Sequence, residues 1–492
     1  MNITIQKAKN GEDTVSADGH FLHSNYAPSK EADRFVQNLN LPYNPEYIII
    51  SEPALSYTAD FLRQKYPDAK IGAIRYVSDF SIYNSRFDFV LNYFEHTDFE
   101  TYLENAFTEE QLLKAFFTPW QPSAQVFSEA DKIVWTSIKA ALQRAKTLLI
   151  TRQYFEKKWF LNSCNFIRHV SKAVSLKEPV NKDTLIISSG PSLIPFLDFI
   201  REHQNKFFII CLSSAISVCL ENQITPDLCM TTDGGYWAGE HLKPLEKFNL
   251  PLAMPAEGFC PKDLLSRLSI LPLNYGDGIS SELLKAYKLE AVSAVRNGTV
   301  SGTALLFASA HCTKNIYLCG LDMAGQTGFQ HAQPNQLEMN SAIKDTRINT
   351  KQSRLTISEY NSGSLEIYKN WFCNNPLELK NRNVYRLIQK ENRKNSLGWI
   401  KDIDLNQFTE ETKDIPDSEK IKIEPIDVSK KYDDILKLFS DNSKTEEWKK
   451  QLFPLDYVLL SHNAQNAEVQ KKINDEWNEL KNKAEEVFNG NL

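Results

Sequence analysis

Asp183-Thr-Leu-Ile-Ile-Ser-Ser-Gly-Pro-Ser-Leu193 is the stretch whose reading decides the fold. A short apolar run, Leu185, Ile186 and Ile187, breaks into Ser188, Ser189, Gly190, Pro191 and Ser192. Apolar residues then recur with helical spacing at Leu193, Phe196, Leu197 and Ile200. The pattern predicts a buried strand, a tight turn and a helix, the opening of a βαβ unit. Gly190 permits close backbone approach to a ligand, and Pro191 suits the first helical position. The unpaired N–H groups and dipole of a helix start would attract an anion, and the serines add hydroxyl donors. Taken alone, the same turn also reads as an ordinary strand–helix junction.

Working outward, Phe207-Phe-Ile-Ile-Cys-Leu212 reads as a second buried strand ending at Ser213 and Ser214. A third runs from Thr225 to Asp233, weaker ones lie near Leu252, Leu271 and Val292, and a last clear one is Asn315-Ile-Tyr-Leu-Cys-Gly320. Strands alternating with helices predict a parallel sheet covered on both faces. Ligands of such sheets lie beyond the carboxyl ends of the strands. That edge would gather residues 188–192, Ser213, Ser214, Asp233, residues 298–303 and Asp322. Asn297-Gly-Thr299-Val-Ser301-Gly302-Thr303-Ala304 forms a second glycine-and-hydroxyl turn before an apolar helix, another nest for anions. The pair suits a ligand with a phosphate and a sugar. His331 is the natural proton acceptor at neutral pH, or else a surface loop histidine. Asp322 serves catalysis or caps a helix, and His241 and His311 read as structural.

The chain has 492 residues, enough for two to four domains, with 42% hydrophobic and 24% charged residues. A formal net charge of -6 leaves no broad basic footprint for nucleic acid. The eight cysteines include no Cys-x-x-Cys pair and read as small buried hydrophobes in a reducing compartment, not as a zinc site or disulfide frame. No segment has the length and apolarity to span a bilayer, so a cytoplasmic protein without membrane attachment is expected. Four regions follow. Residues 1–128 read as a Rossmann-like domain without its cofactor motif, since Ser51-Glu52-Pro-Ala-Leu55 lacks glycines and Glu52 would repel a phosphate. Residues 129–178 read as a helical connector, 179–375 as the central domain, and 376–492 as a mainly helical region.

Ser189-Gly190-Pro191-Ser192-Leu193, Val300-Ser301-Gly302, Ile316-Tyr-Leu-Cys-Gly320-Leu-Asp322 and His331-Ala332 together resemble the Maf (motility-associated factor) family of flagellin glycosyltransferases. Leu22-His-Ser-Asn-Tyr-Ala-Pro28-Ser-Lys-Glu31-Ala32 resembles that family's amino-terminal segment. The resemblance covers most of residues 15–400. The central, MptE-like domain is also similar to bacterial CMP-sialic acid sialyltransferases, whose turn carries Asn where this chain has Ser189. The resemblance implies a cytoplasmic α/β enzyme supporting flagellar assembly and motility. It would transfer a nonulosonic acid of pseudaminic, legionaminic or sialic type from its CMP ester to Ser or Thr of flagellin. The turns at 188–192 and 299–303 would then hold phosphate and ribose, with Ser213, Ser214 and Asp233 bordering cytidine and sugar. His331 would be the base, with Asp322 or Asp233 behind it. No cofactor or metal is required on this reading, the CMP-sugar being a substrate and magnesium left open. The alternatives are a 6-hydroxymethylpterin diphosphokinase-like enzyme using ATP and Mg, and a non-catalytic flagellin-binding protein.

Overall fold

The computed structural model describes residues 2–325, 327–355, 363–377, 382–389, 396–419, 421, 423–463 and 466–490. The chain divides into two compact units, one of residues 1–156 with 446–479, the other of residues 157–445 with 480–492.

The first unit begins with three antiparallel strands, β1 (Ile3–Lys7), β2 (Asp13–Ala17) and β3 (His20–Phe21). A four-stranded parallel sheet follows, built from β4 (Tyr47–Ser51), β5 (Lys70–Arg75), β6 (Phe89–Asn92) and β7 (Ala115–Pro119) in the order β6-β5-β4-β7. Ile48, Ile49 and Ile50 are wholly buried because helices and loops cover both faces of that sheet. The turn after β4 is built around an ion pair. Glu52 and Arg75 are both fully buried, with Nη1 3.1 Å from Oε1. Arg75 also donates to the Ala54 carbonyl (2.9 Å), Ser56 Oγ (2.6 Å) and Asn84 Oδ1 (2.9 Å), and Glu52 Oε2 accepts the Tyr76 N–H at 2.6 Å. Three non-glycine residues of the turn, Glu52, Ala54 and Ser56, have positive φ, a strain held in place by this network. The carboxylate is thus engaged by donors at the end of β5 and in the chain after it.

The second unit holds an eleven-stranded sheet. Its strands are β8 (Lys172–Ser175), β9 (Asp183–Ile187), β10 (Phe207–Leu212), β11 (Leu228–Met230), β12 (Leu252–Pro255), β13 (Ser269–Asn274), β14 (Val292–Ser293), β15 (Ile316–Cys319), β16 (Val384–Leu387), β17 (Lys401–Ile403) and β18 (Glu424–Ile426). The order is β17-β16-β15-β9-β10-β11-β12-β13-β8-β18, with β14 also on β13 and every pair parallel except β18 on β8. The α/β class and a helical carboxyl-terminal region match the sequence reading. Two region boundaries differ. The connector ends in β8, which pairs with β13, and the sheet continues past residue 375 through β16, β17 and β18. Val384-Tyr-Arg-Leu387 hides its character because a buried strand carries Arg386. That side chain is tolerated inside because Nε and Nη2 donate to the two Asp402 carboxylate oxygens, each at 2.7 Å. The helix Ser128–His169 is one uninterrupted element and contains no Gly or Pro. Among the described residues no helix is long and apolar enough to cross a membrane.

Removing one partner of a buried ion pair strands the other, at a cost of about 3–5 kcal/mol. Glu52→Ala or Arg75→Ala is therefore expected to destabilise the first unit by that much in denaturant unfolding. A loss under about 1 kcal/mol would contradict the role given to the pair.

Candidate active site

The sheet changes direction at β9. From there the chain steps through β10, β11, β12 and β13 to one side, while β15, β16 and β17 lie on the other. Loops leaving β9 and β15 diverge at their carboxyl ends, and a crevice opens between them. The hydrogen-bond ladder of this pair outlasts the strands. Ile187 is level with Cys319, the Ser188 N–H donates to the Cys319 carbonyl at 2.8 Å, and the Gly190 N–H to the Gly320 carbonyl at 2.9 Å. Gly320 has φ +72°, and a Cβ there would collide with the Ser188 carbonyl, so the position requires glycine.

Beyond this junction lies a cleft of about 490 Å³. Of the residues singled out by sequence, Ser188, Ser189, Gly190, Ser214, Thr299, Ser301, Asp322 and His331 line it. Leu212, Val300, Met323, Gln330, Leu365 and Tyr368 complete much of its wall. Pro191, Ser192, Ser213, Gly302 and Thr303 belong to the same turns but are not among the lining residues. Asp233 is placed elsewhere, in the loop after β11, where its Oδ1 accepts the Gly235 N–H at 2.8 Å.

The two turns are not alike. At the first, a Cβ on Gly190 would strike the Asp322 carboxylate and the Gly320 carbonyl. Gly190 therefore makes room for Asp322, whose Oδ2 accepts the Ser192 N–H at 3.2 Å. A carboxylate already sits at this helix start, so the expected anion nest presents an acceptor and serine hydroxyls. The second turn keeps its donors. Thr299 Oγ1 accepts the Gly302 N–H at 2.9 Å, Asn297 Oδ1 accepts the Thr299 N–H at 3.0 Å, and Gly302 lets Asn297 pack close. The N–H groups of Val300 and Ser301 have no acceptor among the described residues, and both residues line the cleft. They begin the twelve-residue helix Val300–His311, whose positive end favours an anion there.

Burial raises the Asp322 pKa, opposed by its contacts with Ser192 and by the charge of Arg386. The segment that follows His331 is anchored at two points. The Ala332 N–H donates to the Ser189 carbonyl at 2.7 Å, and the buried Asn335 donates from Nδ2 to the Ser214 carbonyl at 3.0 Å. Asn335 also caps the helix Gln336–Ala342, its Oδ1 accepting the Leu337 and Glu338 N–H groups. Sequence reasoning passed over Asn335, although Asn335-Gln-Leu-Glu338 carries a helix-start signature. His241 is driven down to about 4, first by burial and then by the charge of His331, with Asp233 and Glu240 opposing. It is thus kept neutral beside His331. His311 has a structural bond, its Nε2 2.7 Å from the Ser293 carbonyl. Seven of the eight cysteines are buried and Cys373 is half-buried. Among the described residues no group of three or more His, Cys, Asp or Glu side chains is placed to hold a metal ion.

Comparison with known proteins bears on the family and the fold. Residues 158–328 match the family described as "6-hydroxymethylpterin diphosphokinase MptE-like". An uncharacterized protein of Treponema pallidum (strain Nichols) is 30% identical over 284 residues, 56% of this chain and 61% of that one. A second from the same organism is 27% identical over 126 residues, 25% of this chain and 55% of that one. The chain therefore spans less than two thirds of either relative. Among solved structures, a Maf glycosyltransferase from Magnetospirillum magneticum AMB-1 has the same fold, with a TM-score of 0.51 at 13% identity, covering 99% of this chain and 90% of that one.

Two outcomes follow from the geometry. Gly320→Ala should cost about 2 kcal/mol or more, since it combines a strained φ with a backbone collision; near-wild-type thermal stability would oppose this. His241 binds its proton less readily folded, near 4, than at its ordinary 6.5. Its neutral form therefore supports stability fully above 6.5, and this support is lost as pH falls towards 4. His241→Gln should show a shallower decline of stability across that window than the wild type; parallel declines would refute it.

Proposed function

We propose that this chain, whose residues 158–328 match the MptE-like family, is a glycosyltransferase moving a nonulosonic acid from its CMP ester to a hydroxyl of a protein acceptor, flagellin by the sequence resemblance. The observation that carries the reading is one cleft holding an open helix start, a buried carboxylate and a histidine. The fold likeness to a glycosyltransferase extends along 99% of the chain, whereas the MptE-like match takes in only residues 158–328, which favours transfer over diphosphokinase chemistry.

Each group has a task set by its environment. The Val300 and Ser301 N–H groups receive the donor phosphate and stabilise the charge that grows on it as the bond to the sugar breaks. Asp322, an acceptor, takes hydroxyls of the ribose or sugar, and Ser188 and Ser189 add donors beside it. His331 removes the proton from the acceptor Ser or Thr hydroxyl as its oxygen bonds the anomeric carbon, and CMP departs with its phosphate deprotonated. Leu212, Leu365 and Tyr368 supply the apolar wall a pyrimidine needs. Asp233, outside the cleft, has no part in this scheme. Such a reaction fits a cytoplasmic protein that modifies its acceptor before export.

The test is incubation with CMP-nonulosonate and flagellin, followed by intact-mass measurement. A mass increase of one sugar per modified site supports the reading, and an unchanged acceptor removes it. His331→Ala should lower turnover by about 10²–10⁴-fold while sparing CMP affinity. Val300→Pro deletes one donor at a position where proline fits a helix start. It should weaken CMP binding about 10- to 100-fold, the worth of a hydrogen bond to a charged group, without loss of folding. Unchanged affinity by calorimetry would overturn the phosphate placement.

A further inference from the structure

His331 has two ring nitrogens, and only one can face the cleft usefully. Its Nδ1 is buried and makes no hydrogen bond among the described residues. A buried imidazole nitrogen left so is costly unless a partner stands close. Glu338 Oε1 lies 3.7 Å from it, longer than a hydrogen bond and within the reach of a side-chain rotation. The two are on one short segment whose placement is fixed from outside. Ala332 is tied to Ser189, Asn335 is tied to Ser214, and the Asn335 carbonyl oxygen of the side chain holds the Glu338 N–H at 3.4 Å. Glu338 is thereby presented to His331 by the same residue that fastens the segment to the cleft wall. The Glu338 side chain is only 17% exposed, so water competes little for its carboxylate.

We propose that Glu338 is the positioning residue of His331: its carboxylate holds the proton on Nδ1, which leaves Nε2 unprotonated and directed at the acceptor hydroxyl. The assignment rests on the transferase reading for its catalytic consequence but not for its geometry. In the step itself, Nε2 takes the hydroxyl proton, the oxygen–carbon bond to the sugar forms, and the sugar–phosphate bond breaks. The transient imidazolium then lies against the Glu338 carboxylate, which lowers the cost of charging it.

Two measurements on the full-length chain decide the matter. Long-range ¹⁵N–¹H correlation spectra of His331, assigned with His331→Gln and taken above the ordinary histidine range, report which ring nitrogen carries the proton. The wild type should show the Nδ1–H form, and Glu338→Ala a mixture in which Nε2–H predominates, as in free imidazole side chains. In turnover assays Glu338→Ala should lower kcat about 10- to 100-fold with KM for donor and acceptor within about twofold, a smaller loss than His331→Ala because the base itself is retained. Glu338→Gln, which keeps the volume and an acceptor oxygen, should fold normally, retain the Nδ1–H form and lose only part of kcat. A His331 spectrum unchanged in Glu338→Ala overturns the proposal whatever the activity. A wild type inactive with CMP-nonulosonate, but with the expected spectra, instead overturns the transferase reading and leaves the pair standing.

Discussion

The register between β9 and β15 is the constraint from which the site is built. Because the ladder continues through Ser188, Gly190 and Gly320, two loops that ought to separate are held together for one further step. That step brings Asp322 onto the turn after β9 and fixes the spot where the loops finally part. A side chain at residue 190 or 320 would push them apart, since each Cβ would meet the opposite loop. The glycines therefore serve protein–protein contact within the chain before they serve any ligand.

Much of this is legible in the sequence. The apolar runs at 185–187, 207–212 and 315–320 became neighbouring strands, and their trailing loops share one edge, because a doubly covered parallel sheet writes itself as short apolar runs with helical patterns between them. The pairing of residues near 190 with residues near 301 in one cleft also follows from that pattern. What could not be read is how the donors and acceptors of each turn are already spent. Local sequence showed two similar nests. Only the tertiary arrangement shows that Asp322, far along the chain, has taken the first and that Asn297 and Thr299 have left two donors open in the second. β16 and β17 escaped notice for a related reason: Arg386 looks like a surface residue until Asp402 is seen beside it.

The two units show opposite uses of one architecture. Each has a parallel sheet with a turn at the carboxyl end of a central strand. In the first unit, Glu52 and Arg75 close that place with a complete hydrogen-bond network and a strained backbone. In the second, Asp322 closes one turn while the neighbouring helix start stays open to the cleft. Whether such a crevice can receive a ligand is thus decided by a few polar side chains and not by the fold, which is why a shared fold alone carries no activity.

The late entry of β15, β16 and β17 also bears on how the molecule is made. During synthesis β9, β10, β11, β12 and β13 can assemble in order, each on the strand before it. β9 nevertheless waits, with one edge unpaired, until residues 316–319 emerge, and β15 waits in turn for residues 384–387. Nascent chains therefore carry an open sheet margin for a long part of their translation, the form in which polypeptides are most prone to associate wrongly. The cleft comes into being only when β15 pairs with β9, so a chain ending before residue 316 would hold most of the sheet but lack Asp322 and His331.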